Sequence, residues 1–98
     1  MAYTIVYSRE AERQFKALGS RTERAIKKKV TRYLSHQPDQ AGNRRKRLRP
    51  NALAEWELRL DDWRVLYNIF EDEEEVLVVA VGEKRHEKLY IDGEEVKW

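Results

Sequence analysis

The chain has 98 residues, of which 41% are hydrophobic, 39% carry a charge and 10% are aromatic, with two histidines and no cysteine. This composition excludes disulfides, thiol catalysis and thiolate metal sites, and two scattered histidines alone do not make a zinc site, so we expect no metal or cofactor. The chain has neither an apolar stretch near the roughly 18 residues of a membrane helix nor a signal-peptide pattern, which favours a cytoplasmic protein. We expect one folded domain over residues 1–98, because a chain of this size has room for one core.

The small net charge of +2 conceals a strong asymmetry between the two halves of the chain. Residues 1–50 hold 14 Lys and Arg against 4 Asp and Glu, whereas residues 51–98 hold 6 against 14. A segregated basic half is typical of proteins that bind phosphate-rich or acidic partners. The alternative is that two oppositely charged halves neutralise each other within one fold.

The first half predicts a strand and two helices. Residues 3–7 are β-branched and aromatic, which is typical of a short strand. Ser8 resembles a helix cap and Gly19 a left-handed helix stop, so we expect a first helix of about ten residues between them. Ser20 and Glu23 form a capping-box pattern for a second helix, which Pro38 is expected to close. The apolar stripes of these helices are predicted to be Ala11, Phe15, Leu18 and Ile26, Val30, Tyr33, Leu34.

The second half changes to a period of two. Apolar residues alternate with others along 56–60 and 63–69, which predicts two strands joined at Asp61-Asp62. An acidic turn over 71–75 precedes the apolar run 76–81, which we interpret as a strand buried on both faces near the centre of the sheet. We therefore predict an α+β fold, in which a small antiparallel sheet in β-α-α-β-β-β order carries an N-terminal αα-hairpin on one face.

The predicted hairpin brings two arginines together. If Asp61 and Asp62 form a two-residue loop, Leu60 lies opposite Trp63 and Arg59 lies opposite Arg64. Like charges directly opposite each other destabilise a hairpin, so this pair requires an anion. Either the nearby Glu57 or a ligand phosphate would supply it.

The segments 46–49, 56–67, Val81-Gly82 and Leu89-Tyr90 together resemble the RelE/ParE superfamily of bacterial and archaeal toxins. The resemblance covers nearly the whole chain, and its most distinctive part is the aromatic-Arg-Val-Leu-Tyr strand that follows a short acidic turn. It implies a toxin of a type II toxin–antitoxin system. The RelE branch, which we favour, is a ribosome-dependent messenger-RNA endonuclease, and the ParE branch poisons DNA gyrase. A nucleic-acid-binding module that does not cut is a third alternative.

RNA cleavage without a metal needs a group that takes the proton of the attacking 2′-hydroxyl, cations for the developing charge and a group that protonates the leaving oxygen. The resemblance implies that Arg49 and Arg64 clamp the scissile phosphate. Histidine titrates near neutrality and tyrosine can stack on a base or donate a proton. The general base stays open among His86, Tyr90 and Glu57. The predicted catalytic residues are Arg49, Arg64, Lys84, His86 and Tyr90.

A second set of basic residues is predicted to grip RNA without choosing its sequence, because phosphate contacts position a nucleic acid and do not select bases. The same surface would suit an acidic antitoxin segment. We expect the cognate antitoxin, the ribosome and messenger RNA as partners, no membrane contact, a monomeric free toxin and a hetero-oligomer with the antitoxin. The predicted RNA-binding residues are Arg59, Arg85, Arg44, Arg45, Lys46, Arg47, Lys27 and Lys28.

Overall fold

A computed structural model describes residues 2–98, which form two helices and one seven-stranded sheet. The strands lie in the order β2-β3-β4-β5-β6-β7 with antiparallel neighbours, and β1 pairs with β5 in parallel. Within these residues, neither helix has the length and apolar character needed to cross a membrane. The predicted α+β class is confirmed. The elements are β1 (Thr4–Tyr7), α1 (Arg9–Ala17), α2 (Ser20–Leu34), β2 (Arg45–Arg47), β3 (Trp56–Leu60), β4 (Trp63–Phe70), β5 (Glu75–Arg85), β6 (Lys88–Ile91) and β7 (Glu94–Glu95).

The sheet is wider than the sequence pattern predicts. The sequence pattern does not indicate strands β2, β6 and β7, and β5 continues to Arg85, four residues past the apolar run. Strand β2 is a fully charged edge strand, since it consists of the tripeptide Arg-Lys-Arg. Charged edge strands carry no alternation of apolar and polar residues, and their charge protects the open edge from pairing with other chains.

The helix boundaries follow the predicted caps in part. The Ser8 hydroxyl accepts a hydrogen bond from the Ala11 N–H at 3.1 Å, which confirms it as the cap of α1. The predicted capping box of α2 is wrong, because Gly19 is the N-cap residue, with a φ of +92°, and no side chain caps this end. Glu23 instead forms a salt bridge with Lys27 at 2.9 Å.

The second helix ends at Leu34, four residues before the predicted stop at Pro38. The Arg45 guanidinium donates to the Tyr33 carbonyl from Nε and Nη2, at 3.0 and 2.7 Å. This interaction satisfies one of the carbonyls that a helix C-terminus leaves without a partner. Arg45 therefore joins strand β2 to the end of α2.

The main core lies between the two helices and one face of the sheet. Phe15, Val30 and Leu34 of the helices pack there against the alternating apolar positions of β3 and β4, as predicted. The opposite, open face of the sheet carries a smaller apolar cluster of Ala54, Leu66, Ala80 and Leu89. Strand β5 contributes to both faces, and its buried residues include Val76, Val78, Ala80 and Val81.

One edge of β5 is shared between β1, which pairs with residues 75–78, and β6, which pairs with residues 83–85. The Val81 N–H falls in the gap between these two strands and donates to Gln14 Oε1 at 3.0 Å. Gln14 is buried on α1, so its amide replaces a missing strand in the hydrogen-bonding ladder. No sequence pattern indicates this role, because a polar residue on a helix predicts a solvated face.

Tyr7 predicts a measurable loss of stability at alkaline pH. Its ring packs edge-on against Phe15 with centroids 5.4 Å apart, and its buried hydroxyl has no hydrogen-bond partner among residues 2–98. Burial raises the pKa of Tyr7 above its ordinary value. The hydroxyl of the folded protein therefore resists ionisation. Its contribution to the free energy of unfolding is fully present below about pH 10 and is lost as the pH rises toward the higher folded-state pKa. We expect Tyr7→Phe to be as stable as the parent at pH 7 and to lose less stability above about pH 10 in urea denaturation.

Tyr67→Phe is the matched comparison. The Tyr67 hydroxyl is also buried, but it donates to the Pro38 carbonyl at 2.7 Å. Removing this bond is expected to cost about 1 kcal/mol at pH 7. Equal losses for Tyr7→Phe and Tyr67→Phe at pH 7 would contradict the assignment of the Tyr7 hydroxyl as unpaired.

Candidate nucleic-acid site on the open face of the sheet

The hairpin of β3 and β4 has the predicted register. Leu60 pairs with Trp63 and Arg59 pairs with Arg64 around the Asp61-Asp62 turn. Trp63 packs against the main core, so its neighbour Arg64 points to the open face of the sheet. The two arginines therefore lie side by side on the open face, next to the turn.

Arg64 is held in a fixed orientation by the hairpin. Its Nη1 donates to the Asp61 carbonyl at 2.7 Å and to the Trp63 carbonyl at 2.9 Å. Its Nε is buried and has no hydrogen-bond partner among residues 2–98, and its side chain is only 14% exposed. The Nη2 end of the guanidinium is consequently the part of Arg64 left to receive an anion.

Glu57 is the anion that the arginine pair requires. Its side chain is 7% exposed, and its Oε1 accepts a hydrogen bond from Arg59 Nε at 3.2 Å. The same oxygen lies 4.0 Å from Arg64 Nε. One buried carboxylate therefore serves as a shared counter-ion for both guanidinium groups, so the anion between the arginines is supplied from within the fold.

Lys84 and His86 lie at the same end of the sheet as the arginine pair. Gly82 pairs with Arg64, and Lys84 lies two residues further along the same face of β5. Such diagonal neighbours have Cα atoms about 7–8 Å apart. The Lys84 N–H donates to the Asp62 carbonyl at 2.7 Å. His86 is exposed in the turn that follows, with a φ of 50°. We call Glu57, Arg59, Arg64 and Lys84 the arginine cluster.

Tyr90 lies on the other face of the sheet. It pairs with Glu83, which in turn pairs with Trp63, so all three side chains point to the helix face. Arg85 donates to Glu83 from Nη2 at 2.8 Å and lies 5.4 Å from the centre of the Tyr90 ring. The expected convergence of Tyr90 with the arginines is therefore not seen. Arg85 and Tyr90 border instead a cavity of about 320 Å³ beside α1.

Arg49 lies away from the arginine cluster. It is exposed in the segment after β2, and the ladder of β2 and β3 places Arg44, not Arg49, next to Arg59, whose N–H donates to the Arg44 carbonyl at 2.8 Å. Arg49 lies five positions beyond Arg44 along the chain, a span of about 16 Å for fully extended backbone. The ladder therefore does not place Arg49 beside the Arg59–Arg64 pair.

Several of the predicted RNA-binding residues have contacts within the fold. The Arg44 guanidinium lies 4.5 Å from the centre of the Tyr33 ring, and that of Arg47 lies 5.6 Å from the Trp56 ring. These cation–π contacts engage the face of each guanidinium, and the Nη2 of Arg47 also lies 4.0 Å from Glu55. Lys28 and Lys46 are exposed. This part of the basic surface is therefore both a structural element and a candidate for phosphate contacts.

Lys27 joins the two helices. Its ammonium forms salt bridges with Glu12 and with Glu23, and it lies 4.6 Å from the centre of the Tyr7 ring. Burial works to lower the pKa of Lys27, but its hydrogen bonds to the two carboxylates outweigh burial and raise that pKa. An RNA phosphate would have to compete with both carboxylates for this side chain.

Comparisons with known proteins agree with this architecture. A sequence model of the family described as the ParE toxin of the type II toxin–antitoxin system, parDE, matches residues 5–87. A search of curated proteins finds no match. Among solved structures, the chain is similar to one in the toxin–antitoxin complex RelBE2 from Mycobacterium tuberculosis, with a TM-score of 0.72 and 24% identity over 86% of this chain and 93% of that one.

A chain of the intact RelBE toxin–antitoxin complex from E. coli is also similar, with a TM-score of 0.64 and 23% identity over 87% of this chain and 100% of that one. Both likenesses concern the fold, and the family match spans most of the sequence. This protein therefore belongs to the ParE toxin family of type II toxin–antitoxin systems, within the RelE/ParE superfamily.

Proposed function

We propose that this toxin is an endoribonuclease that cleaves messenger RNA at the ribosome, without a metal, and so inhibits translation. The observation that carries this proposal is the arginine cluster, which gathers Arg59, Arg64 and Lys84 on one face of the sheet, where Glu57 is shared by the two arginines. Preorganised cations of this kind stabilise the negative charge that develops on a phosphate during in-line attack. Guanidinium groups suit this task because they stay charged and their planar geometry matches phosphate oxygens.

Proton transfer is assigned to His86 and Lys84. Of the three candidates for the general base, His86 is the one that is exposed at the end of the sheet where the arginine cluster lies. Glu57 is buried and engaged with Arg59, and Tyr90 lies on the opposite face. In this scheme His86 takes the proton of the 2′-hydroxyl, Arg59 and Arg64 hold the phosphate, and Lys84 donates a proton to the leaving 5′-oxygen.

The proposed partners are the cognate antitoxin, the ribosome and messenger RNA, with the cytoplasm as the compartment. The two structural neighbours are toxin–antitoxin complexes, which supports an antitoxin partner. The exposed basic side chains of Arg44, Lys46 and Arg47 border the same sheet and supply charge for ribosomal RNA. We propose that Arg49 contributes to this approach surface, because it lies outside the arginine cluster.

Poisoning of DNA gyrase is the second candidate function. Two observations favour it: the family that matches the chain is described as the ParE toxin, and Tyr90 does not meet the arginines. A gyrase poison needs no proton-transfer groups beside its cations. In that case the arginine cluster would bind an acidic surface or DNA phosphates and cut nothing.

One experiment separates the two functions. The purified chain is added to a translating extract, the ends of the messenger RNA are mapped, and gyrase supercoiling is assayed in parallel. The proposed function predicts new messenger-RNA ends that require ribosomes, together with unaffected gyrase. Intact messages together with trapped gyrase–DNA complexes would overturn it in favour of the second candidate.

A further inference from the structure

Glu57 is the only acidic side chain that is buried among residues 2–98. Burying a carboxylate is costly unless it is paired, and its partner here is Arg59, at 3.2 Å, in an ion pair whose arginine is 42% exposed. The neighbours of Glu57 across the sheet are Lys46 on β2 and Leu66 on β4. The carboxylate therefore lies between basic side chains and the apolar cluster that contains Leu66. The basic side chains nearest to it, Arg59 and Arg64, are those of the candidate phosphate site.

The same carboxylate occupies one of the donors that a phosphate would use, the Nε of Arg59. A guanidinium binds a phosphate bidentately through two parallel N–H groups. The Nε of Arg59 donates to Glu57, the Nε of Arg64 faces Glu57 at 4.0 Å, and Nη1 of Arg64 is engaged by the hairpin carbonyls. A phosphate that binds Arg59 side-on, through Nε and the neighbouring Nη, must displace Glu57 from Nε.

We infer that Glu57 is a positioning residue that aims Arg59 and Arg64 and competes with phosphate for them, and thereby sets the affinity of this face for RNA. The inference rests on the proposed function, since the phosphate concerned is that of the RNA substrate. Its physical basis is the opposition of two arginines across the hairpin, which repel each other unless an anion lies between them. Glu57 supplies that anion in the free toxin, and the RNA phosphate replaces it in the complex.

The test measures binding instead of cleavage. Dissociation constants are measured for inorganic phosphate and for a short RNA with 2′-O-methyl groups, which lacks the attacking hydroxyl. Glu57→Gln is expected to bind both probes roughly tenfold more tightly, because a neutral amide competes for the Arg59 Nε much more weakly than the carboxylate does. Glu73→Gln is the matched control, since Glu73 is exposed in the acidic turn at the opposite end of the sheet. Its identical change in net charge is expected to alter binding by less than about twofold.

A second variant tests whether Glu57 acts through Arg59. In an Arg59→Gln background, the gain from Glu57→Gln is expected to fall to about twofold, because the side chain that Glu57 restrains is gone. Thermal unfolding of each variant shows that it is folded. If Glu57→Gln does not fold, Glu57→Met replaces it, since an apolar side chain of similar length fits beside Leu66.

Unchanged or weaker binding of phosphate by a folded Glu57 variant would overturn the inference. An increase in affinity from Glu57→Gln that is as large in the Arg59→Gln background as in the parent would also overturn it. These outcomes are distinct from failure of the proposed function, which the extract and gyrase assays report on the unmodified toxin. If the toxin cuts messages but its affinity for phosphate and RNA does not rise when Glu57 is neutralised, the proposed function stands and only this inference is rejected.

Discussion

Replacement of Arg64 by glutamine is expected to slow messenger-RNA cleavage in a translating extract by about 10²–10³-fold, the usual cost of losing one preorganised donor to a developing charge. Arg64 is fixed by the Asp61 and Trp63 carbonyls, so its free donors meet the phosphate without reorganisation. A glutamine amide is neutral and shorter, so it supplies neither the charge nor the reach. The measurement is the rate at which new messenger-RNA ends appear, at saturating toxin.

Two further variants make this prediction specific. Arg13→Gln removes a charge from the exposed face of α1, where Arg13 pairs with Glu10 and Asp92, and it is expected to change the rate by less than about threefold. Arg49→Gln tests whether Arg49 has the catalytic role that the family resemblance implies or the lesser role that its position in the structure suggests. If Arg49 clamps the scissile phosphate, its replacement will slow cleavage as much as that of Arg64, whereas its position five residues beyond Arg44, the residue that lies beside Arg59, predicts a much smaller effect.

Arg64 also stabilises the hairpin through its hydrogen bonds to the Asp61 and Trp63 carbonyls. The thermal stability of each variant is therefore measured together with its cleavage rate. A loss of about 1–2 kcal/mol is expected from the missing hydrogen bonds. A folded Arg64→Gln toxin that still cuts at the parent rate would exclude Arg64 as the phosphate ligand.

Gly82→Ala is expected to lower the free energy of unfolding by about 3 kcal/mol, the upper end of the usual cost of overpacking. A Cβ atom at this position would lie 2.5 Å from the Tyr90 carbonyl oxygen and 2.8 Å from the Ile91 side chain. The first of these contacts is with backbone, so strand β6 must move as a unit to relieve it. Urea denaturation of the two proteins measures the difference.

Gly42→Ala is the matched control. A Cβ at Gly42 would meet no atom within 4 Å, and its backbone φ is not in the positive region. We expect this variant to be at least as stable as the parent, since alanine restricts the unfolded chain more than glycine does. Equal stability of the two alanine variants would mean that β6 does not lie over Gly82. Because Gly82 pairs with Arg64, a shifted β6 is also expected to disturb the arginine cluster.

Local patterns of the sequence are sufficient for the hairpin that carries the arginine pair. The Asp61-Asp62 turn lies between two runs with a period of two, and this alternation sets both the register and the faces of β3 and β4. The apolar stripes of α1 and α2 are equally predictable from the sequence, because their apolar residues recur at each helical turn. The Arg59–Arg64 contact depends on these short-range features alone.

The rest of the site depends on pairings between distant segments, which a single sequence does not reveal. The register of β2 brings Arg44, instead of Arg49, beside Arg59, and the pairing of β6 with β5 turns Tyr90 toward the helices. A shift of one residue in either ladder would move every side chain of that strand to the other face of the sheet. Closeness in the sequence therefore does not show on which face of the sheet a side chain lies.

The sequence by itself thus determined the class of fold, the order of the main elements and the opposition of Arg59 and Arg64. Only the tertiary structure decided which cations join them, that Glu57 is buried between them and that Gln14 closes the ladder at Val81. The physical reason is the range of the interactions: turns and periodicity act over a few residues, whereas strand register and burial are set by contacts between segments far apart in the chain.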